Sequence, residues 1–172
     1  MRYVELRRHT DNDGDALTPE GIAATEEMGR SRLNPPYAAF VSSGARRATQ
    51  MLEILRRAAG QDAAEIREVT ALRSSVEDRW RAADQAAGKG ADIEAMRVVD
   101  PDLVEMESRL LGASLRQVLD EVPEGGRALV IGHSPTNEAA VLGLVGEVVK
   151  PLSKGAGILL TESGGHYTAS PL

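Results

Sequence analysis

The chain contains no cysteine. Disulfides, thiolate nucleophiles and cysteine-bound metals are therefore excluded, and the redox compartment is left open. Aromatics are scarce: one Trp, one Phe and three Tyr make up 3% of the residues. The core must be assembled from Ala, Val, Leu and Ile, and there is no set of rings on which nucleic-acid bases would stack. Positive charge is not in excess either. Against 20 Lys and Arg stand 26 Asp and Glu, and the net charge of −6 does not suit a protein that coats a polyanion. No apolar run approaches the ~20 residues of a membrane span. The opening Met1-Arg2-Tyr3-Val4-Glu5 does not read as a secretory signal, because charges interrupt it. The expectation is a cytoplasmic protein with neither nucleic acid nor membrane as a partner; oligomeric state is not legible.

Apolar residues make up 42% of the 172, which suits one domain over residues 1–172 with a real core. Residues 2–8 read as a first strand, followed by a polar loop over 11–15. That loop has three alternating aspartates but not the calcium pattern, since Ile22 stands where the bidentate Glu would be. Thr18-Pro19-Glu20 is a helix start: a capping hydroxyl, a proline suited to the first turn and an acid for the dipole. This helix is expected to reach about Leu33 before Asn34-Pro35-Pro36 stops it. A second strand over 38–42 leads into a helix over 45–59 with Ala48, Met51, Leu52 and Leu55 facing inward. A third strand is expected over 65–71, then short helices over about 72–100 forming a cap or excursion outside the core.

A long helix should run from Pro101 to about Val122, with Leu103, Met106, Leu110, Leu111, Leu115, Val118 and Leu119 as its apolar stripe. The continuous apolar run Ala128-Leu129-Val130-Ile131 reads as a strand buried on both faces. A helix then runs through Leu144, and two strands meet at a turn over Ser163-Gly164-Gly165. Strand–helix alternation predicts an α/β fold of three layers, a mostly parallel central sheet flanked by helices.

Three strand ends carry unusual chemistry. The first ends in Arg8-His9, the second in Ser42-Ser43 ahead of Arg46 and Arg47, and a later one in Gly132-His133-Ser134. In a parallel sheet such carboxyl ends share one edge, where open α/β folds bind ligands. Helices starting after Ser43 and after Ser134 would direct N–H groups at the same place. Two histidines, two or three arginines and small hydroxyls at one edge describe an anion site.

These blocks resemble the histidine phosphatase superfamily, the phosphoglycerate-mutase-like group, in its compact phosphatase branch. The group's Arg-His-Gly appears as Arg8-His9-Thr10. Its Ser-Pro-x-x-Arg-Ala-x-Gln-Thr block appears as Ser43-Gly44-Ala45-Arg46-Arg47-Ala48-Thr49-Gln50-Met51. Its Gly-His-x appears as Gly132-His133-Ser134, and its Leu-Thr-x-x-Gly as Leu17-Thr18-Pro19-Glu20-Gly21. The resemblance implies a phosphoglycerate-mutase-like fold and a metal-independent phosphatase that requires no cofactor. His9 would be the nucleophile, forming a phosphohistidine that water hydrolyses. Arg8, Arg47 and His133 would hold the phosphoryl oxygens, with Ser43, Thr10 and Ser134 as further phosphate contacts. The substrate would be a small phosphorylated molecule or a phosphoprotein.

Two departures matter. Thr10 replaces a glycine beside the nucleophile, where a β-branched residue resists positive φ and its hydroxyl would lie near phosphate. Ser74 occupies the place of the group's proton-donating Glu and cannot act as an acid near neutral pH. Glu77 is the expected catalytic acid, with Asp78, Asp11, Glu105 and Glu107 as other candidates. Glu138 could orient a histidine, Asn137 could reach the anion, and Arg7 and Arg46 read as extra surface cations. His166 reads as a strand residue at a turn, and Trp80 as packing in the excursion. The departures also motivate an alternative from another class, a non-catalytic phosphate- or phosphoprotein-binding module of the same fold.

Overall fold

A computed structural model describes residues 1–172. In chain order the strands and helices are β1 (Arg2–Arg8), β2 (Asn12–Asp13), β3 (Ala16–Leu17), α1 (Pro19–Ser31), β4 (Ala39–Ser42), α2 (Arg46–Ala58), β5 (Ile66–Glu68), α3 (Glu77–Ala87), α4 (Ile93–Val99), α5 (Pro101–Glu121), β6 (Arg127–Gly132), α6 (Thr136–Val145), β7 (Gly157–Ser163) and β8 (His166–Pro171). A 3₁₀ turn over Thr70–Leu72 ends the segment after β5. No helix is long and apolar enough to cross a membrane.

Six strands form one sheet in the order β5-β4-β6-β1-β7-β8. The pairs β5–β4, β4–β6 and β6–β1 are parallel, whereas β7 runs antiparallel to both β1 and β8. Helices cover both faces, and β6 shows why. Ala128 and Val130 enter the larger apolar cluster, with α5, α6 and the α3–α4 segment, while Leu129 and Ile131 enter the smaller one, with α1 and α2. A strand with both faces buried needs an unbroken apolar run, and the sequence supplies one.

The register sets the site. Arg8 pairs with Gly132, and Ser42 with Ile131, so β1, β4 and β6 end together. The amide of His9 donates to Gly132 O at 3.1 Å and that of Ser43 to Ile131 O at 3.2 Å, which carries the alignment just past the strands. Asn137 adds a side-chain tie: its Oδ1 accepts from the His133 amide at 3.2 Å and its Nδ2 donates to Arg7 O at 3.2 Å.

Three expectations need correction. The loop over 11–15 is not irregular throughout, because β2 and β3 form a small antiparallel hairpin there. The excursion exists as α3 and α4 but does not lie outside the core, since Trp80, Ala83, Ile93 and Met96 are buried in the larger cluster. On α5, Met106 and Leu110 are exposed, and the buried face instead takes in Glu107, Ser108 and Gly112. Glu107 can be buried because its Oε1 accepts from Ser74 Oγ and from the Trp80 indole at 3.0 Å. That network replaces the apolar contact the stripe pattern assumes.

Candidate active site

The centre is a pair of imidazoles joined by one guanidinium. His9 and His133 lie edge to face with ring centroids 5.2 Å apart, at the ends of β1 and β6. His9 Nδ1 lies 2.8 Å from the carbonyl oxygen of Thr10, which makes Nδ1 the protonated nitrogen and leaves the lone pair on Nε2. Arg47, in the first turn of α2, donates from Nε to His9 Nε2 at 3.3 Å and from Nη2 to His133 Nδ1 at 3.2 Å. His133 is therefore the opposite tautomer, donating from Nε2 to Ser43 Oγ at 2.7 Å. Burial is the main reason His9 falls to about 4, aided by the charges of Arg47, Lys154 and Arg8 against the Thr10 carbonyl. Burial and Arg47 likewise take His133 down to about 3. Both rings are neutral at pH 7, so His9 Nε2 carries a lone pair, held by Arg47 Nε, and needs no base to remove a proton.

A polar cavity of about 240 Å³ opens beside this pair, walled by Arg47, His133, Ser134, Arg73, Glu77 and Arg81 among others. His9 is only 6% exposed and lies behind Arg47, not on the wall. Glu77 is on the wall, its Oε1 accepting from Arg73 Nε at 2.6 Å.

The remaining expected residues divide. Arg8 does not line the cavity; its Nη1 donates to Leu152 O at 2.7 Å. Thr10 has negative φ, so it sits without strain where a glycine was anticipated. Its hydroxyl is also turned away from the histidines, donating to Gly21 O at 3.0 Å with Thr25 Oγ1 at 2.8 Å. Ser43 holds His133 instead of facing the cavity. Ser134 lines the cavity and donates to Glu138 Oε2. Asn137 does not reach the cavity, since both ends of its amide are used on backbone groups. Glu138 neither orients a histidine nor meets solvent: it is 3% exposed and bonded to Ser134.

Of the other acid candidates, Glu105 pairs with Arg109, Asp78 pairs with Arg81 and Asp11 accepts from Thr18; none of the three lines the cavity. Glu107 is buried behind Ser74 and Trp80. Arg7 packs inward onto Gly155 O. His166 is exposed, far along the sheet on β8. No three His, Asp or Glu side chains converge as metal ligands would.

One residue escaped the sequence argument. Asp15 Oδ1 accepts from Arg47 Nη1 at 2.8 Å and from the Arg47 amide at 3.4 Å. Partial burial pushes its pKa up, but the amides of Arg47 and Arg46 and the Arg47 guanidinium outweigh that and hold it below the usual carboxylate range. The N-terminus of α2 is thus capped from another loop and is not free for an anion. A signal was present: the residue at the cap position before α2 is Ala45, whose methyl group cannot accept a hydrogen bond, so a capping group had to come from elsewhere.

No family model matches the chain, and no curated protein sequence is similar to it. Solved structures do match over its whole length. A phosphoglycerate mutase from Bacillus anthracis str. Sterne shares 15% identity with a TM-score of 0.76, covering 99% of this chain and 92% of that one. A mycobacterial glucosyl-3-phosphoglycerate phosphatase in complex with inorganic phosphate shares 15% identity with a TM-score of 0.65, covering 99% and 96%. The protein histidine phosphatase SixA complexed with tungstate shares 18% identity with a TM-score of 0.59, covering 98% and 94%. The chain has the phosphoglycerate-mutase-like fold.

Proposed function

We propose that the chain is a metal-independent phosphatase, hydrolysing a phosphomonoester or a phosphohistidine through an intermediate on His9. The observation that carries this is the tautomer pair. The Thr10 carbonyl fixes the proton on His9 Nδ1, and a single arginine reaches both His9 Nε2 and His133 Nδ1. A phosphoryl group between them would draw the guanidinium onto its oxygens and release the Nε2 lone pair for in-line attack. Arg47 and His133 then bear the charge that builds on the oxygens. Ser43 and Asp15 keep those two groups aimed, and Arg8 contributes its charge from behind. Glu77 and Ser134 face the departing group from the cavity wall. The proteins of this fold named above include two phosphatases, one named for glucosyl-3-phosphoglycerate and one for protein histidine, and a phosphomonoester and a phosphohistidine are both retained here.

The test is turnover of an aryl phosphate in the presence of a chelator, wild type against His9→Ala. The expected result is chelator-resistant hydrolysis that drops by about 10³-fold or more in the variant, with an acid-labile phosphoryl group trapped on His9. Vanadate binding without turnover of any ester or phosphoramidate would instead mark a non-catalytic phosphate-binding module.

A further inference from the structure

A hydroxyl on the cavity wall is backed by a buried carboxyl group that the proposed chemistry does not yet use. Ser134 stands beside His133 on the wall, and Glu138, one helical turn further along α6, bonds it through Oε2. Glu138 is 3% exposed, and its Oε1 is buried with no hydrogen-bond partner. We infer that Ser134 and Glu138 deliver the proton to the leaving group, Ser134 Oγ giving up its proton and Glu138 replacing it. This rests on the phosphatase reading above.

The geometry lets one proton reverse the bond. With Glu138 ionised, Ser134 donates to it and has no proton for the cavity. With Glu138 protonated, the carboxyl donates to Oγ, and the Ser134 O–H turns to the cavity. Burial raises the Glu138 pKa, against the Ser134 hydroxyl and the charge of Arg8, which moves the pair toward the second arrangement. Glu77 is placed differently: partly exposed, it already accepts from Arg73 Nε at 2.6 Å.

In the first step His9 Nε2 bonds to phosphorus as the bond from phosphorus to the leaving oxygen breaks. That oxygen takes the Ser134 proton, Oγ takes the Glu138 proton, and a carboxylate remains near Arg8. The Arg8 Nε is itself buried without a partner. In the second step water attacks phosphorus and the bond to Nε2 breaks. The proton of the water returns through Ser134 to Glu138, and phosphate leaves.

The experiment compares a glycerol phosphate with dinitrophenyl phosphate in wild type, Glu138→Gln, Ser134→Ala and Glu77→Gln, with thermal melts run on each. The alcohol needs a proton to depart and the dinitrophenolate does not. Expected for both Glu138→Gln and Ser134→Ala is a loss in kcat/KM, which reports only the steps through departure of the leaving group, of about 10²-fold on the glycerol ester and less than about threefold on the aryl ester. A merely structural role would lower both rates alike. Equal losses on the two substrates, or a leaving-group-dependent loss in Glu77→Gln alone, would overturn the proposal while leaving the phosphatase intact. Absence of wild-type turnover even on dinitrophenyl phosphate would overturn both.

Discussion

Neutral histidine is the condition on which the His9 chemistry depends, and it is set by burial against a fixed cation. Placing a proton on either ring would put a second charge against Arg47 in a space largely closed to water. His9 and His133 are held at about 4 and about 3 for that reason. The consequence for stability follows from linkage. An unfolded histidine takes up a proton near 6.5, whereas these two stay neutral in the fold, so the unfolded state binds more protons between about 6.5 and 4 and stability falls as pH drops through that window. Each histidine contributes a slope of up to about 1.4 kcal/mol per pH unit there. A proton NMR titration of the imidazole C–H signals is expected to show two of the three histidines unmoved from neutral pH down to about 5. Saturating inorganic phosphate should raise both, because a bound dianion favours the charged rings. Titration of either near 6.5 in the free protein would count against the geometry at Arg47. His9, Arg47 and His133 were legible in the sequence because each closes a strand or opens a helix at the same sheet edge. The aim of the hydroxyls was not. Thr10 and Ser43 take local partners across the fold, Gly21 O and His133 Nε2, which no spacing along the chain encodes. Asp15 was hidden for a similar reason, since it caps a helix more than thirty positions away.

At the scale of elements, the placement of His133 depends on how closely α6 lies on α5. The two helices cross at glycines. A methyl group built on Gly143 would stand 1.8 Å from the Ser108 carbonyl oxygen, and one on Gly112 would stand 2.8 Å from the Gly143 backbone. The obstacles are main-chain atoms, which cannot rotate aside, so a larger residue must push the helices apart. Gly143→Ala is expected to cost about 3 kcal/mol, lowering Tm by about 6–12 °C, and to weaken phosphate binding as the head of α6 shifts. A melt coincident with wild type would mean the crossing is looser than its geometry. Element positions were legible because caps and stops are local: Thr18 accepts from the Gly21 amide at 3.1 Å just where the sequence places the start of α1. The facing of α5 was not legible. Polarity argued against burying Glu107 and Ser108, but the Ser74 and Trp80 donors that make Glu107 acceptable come from another segment. Met106 and Leu110 were left outside as a result.

At the scale of the whole molecule, the segment that walls the cavity is also part of the core. Residues 72–100 are charged, alanine-rich and broken by glycines, a pattern suited to a lid that moves independently. Yet Trp80 and Ala83 of α3 and Ile93 and Met96 of α4 are buried in the cluster that includes Val4, Leu6 and Val130 of the central strands. The indole of Trp80 also donates to Glu107 on α5 at 3.0 Å. Opening α3 alone would expose that apolar surface and strand the Glu107 carboxylate, so the wall should hold its shape until the sheet itself gives way. Trp80 is the single tryptophan, so its fluorescence reports on α3 without interference. In a urea titration the Trp80 emission change and the far-UV circular dichroism change are expected to share one midpoint and one slope, the behaviour of a single cooperative unit. A Trp80 transition at lower urea than the loss of secondary structure would show that α3 and α4 detach first. The cavity wall would then be a moving lid instead of a fixed boundary.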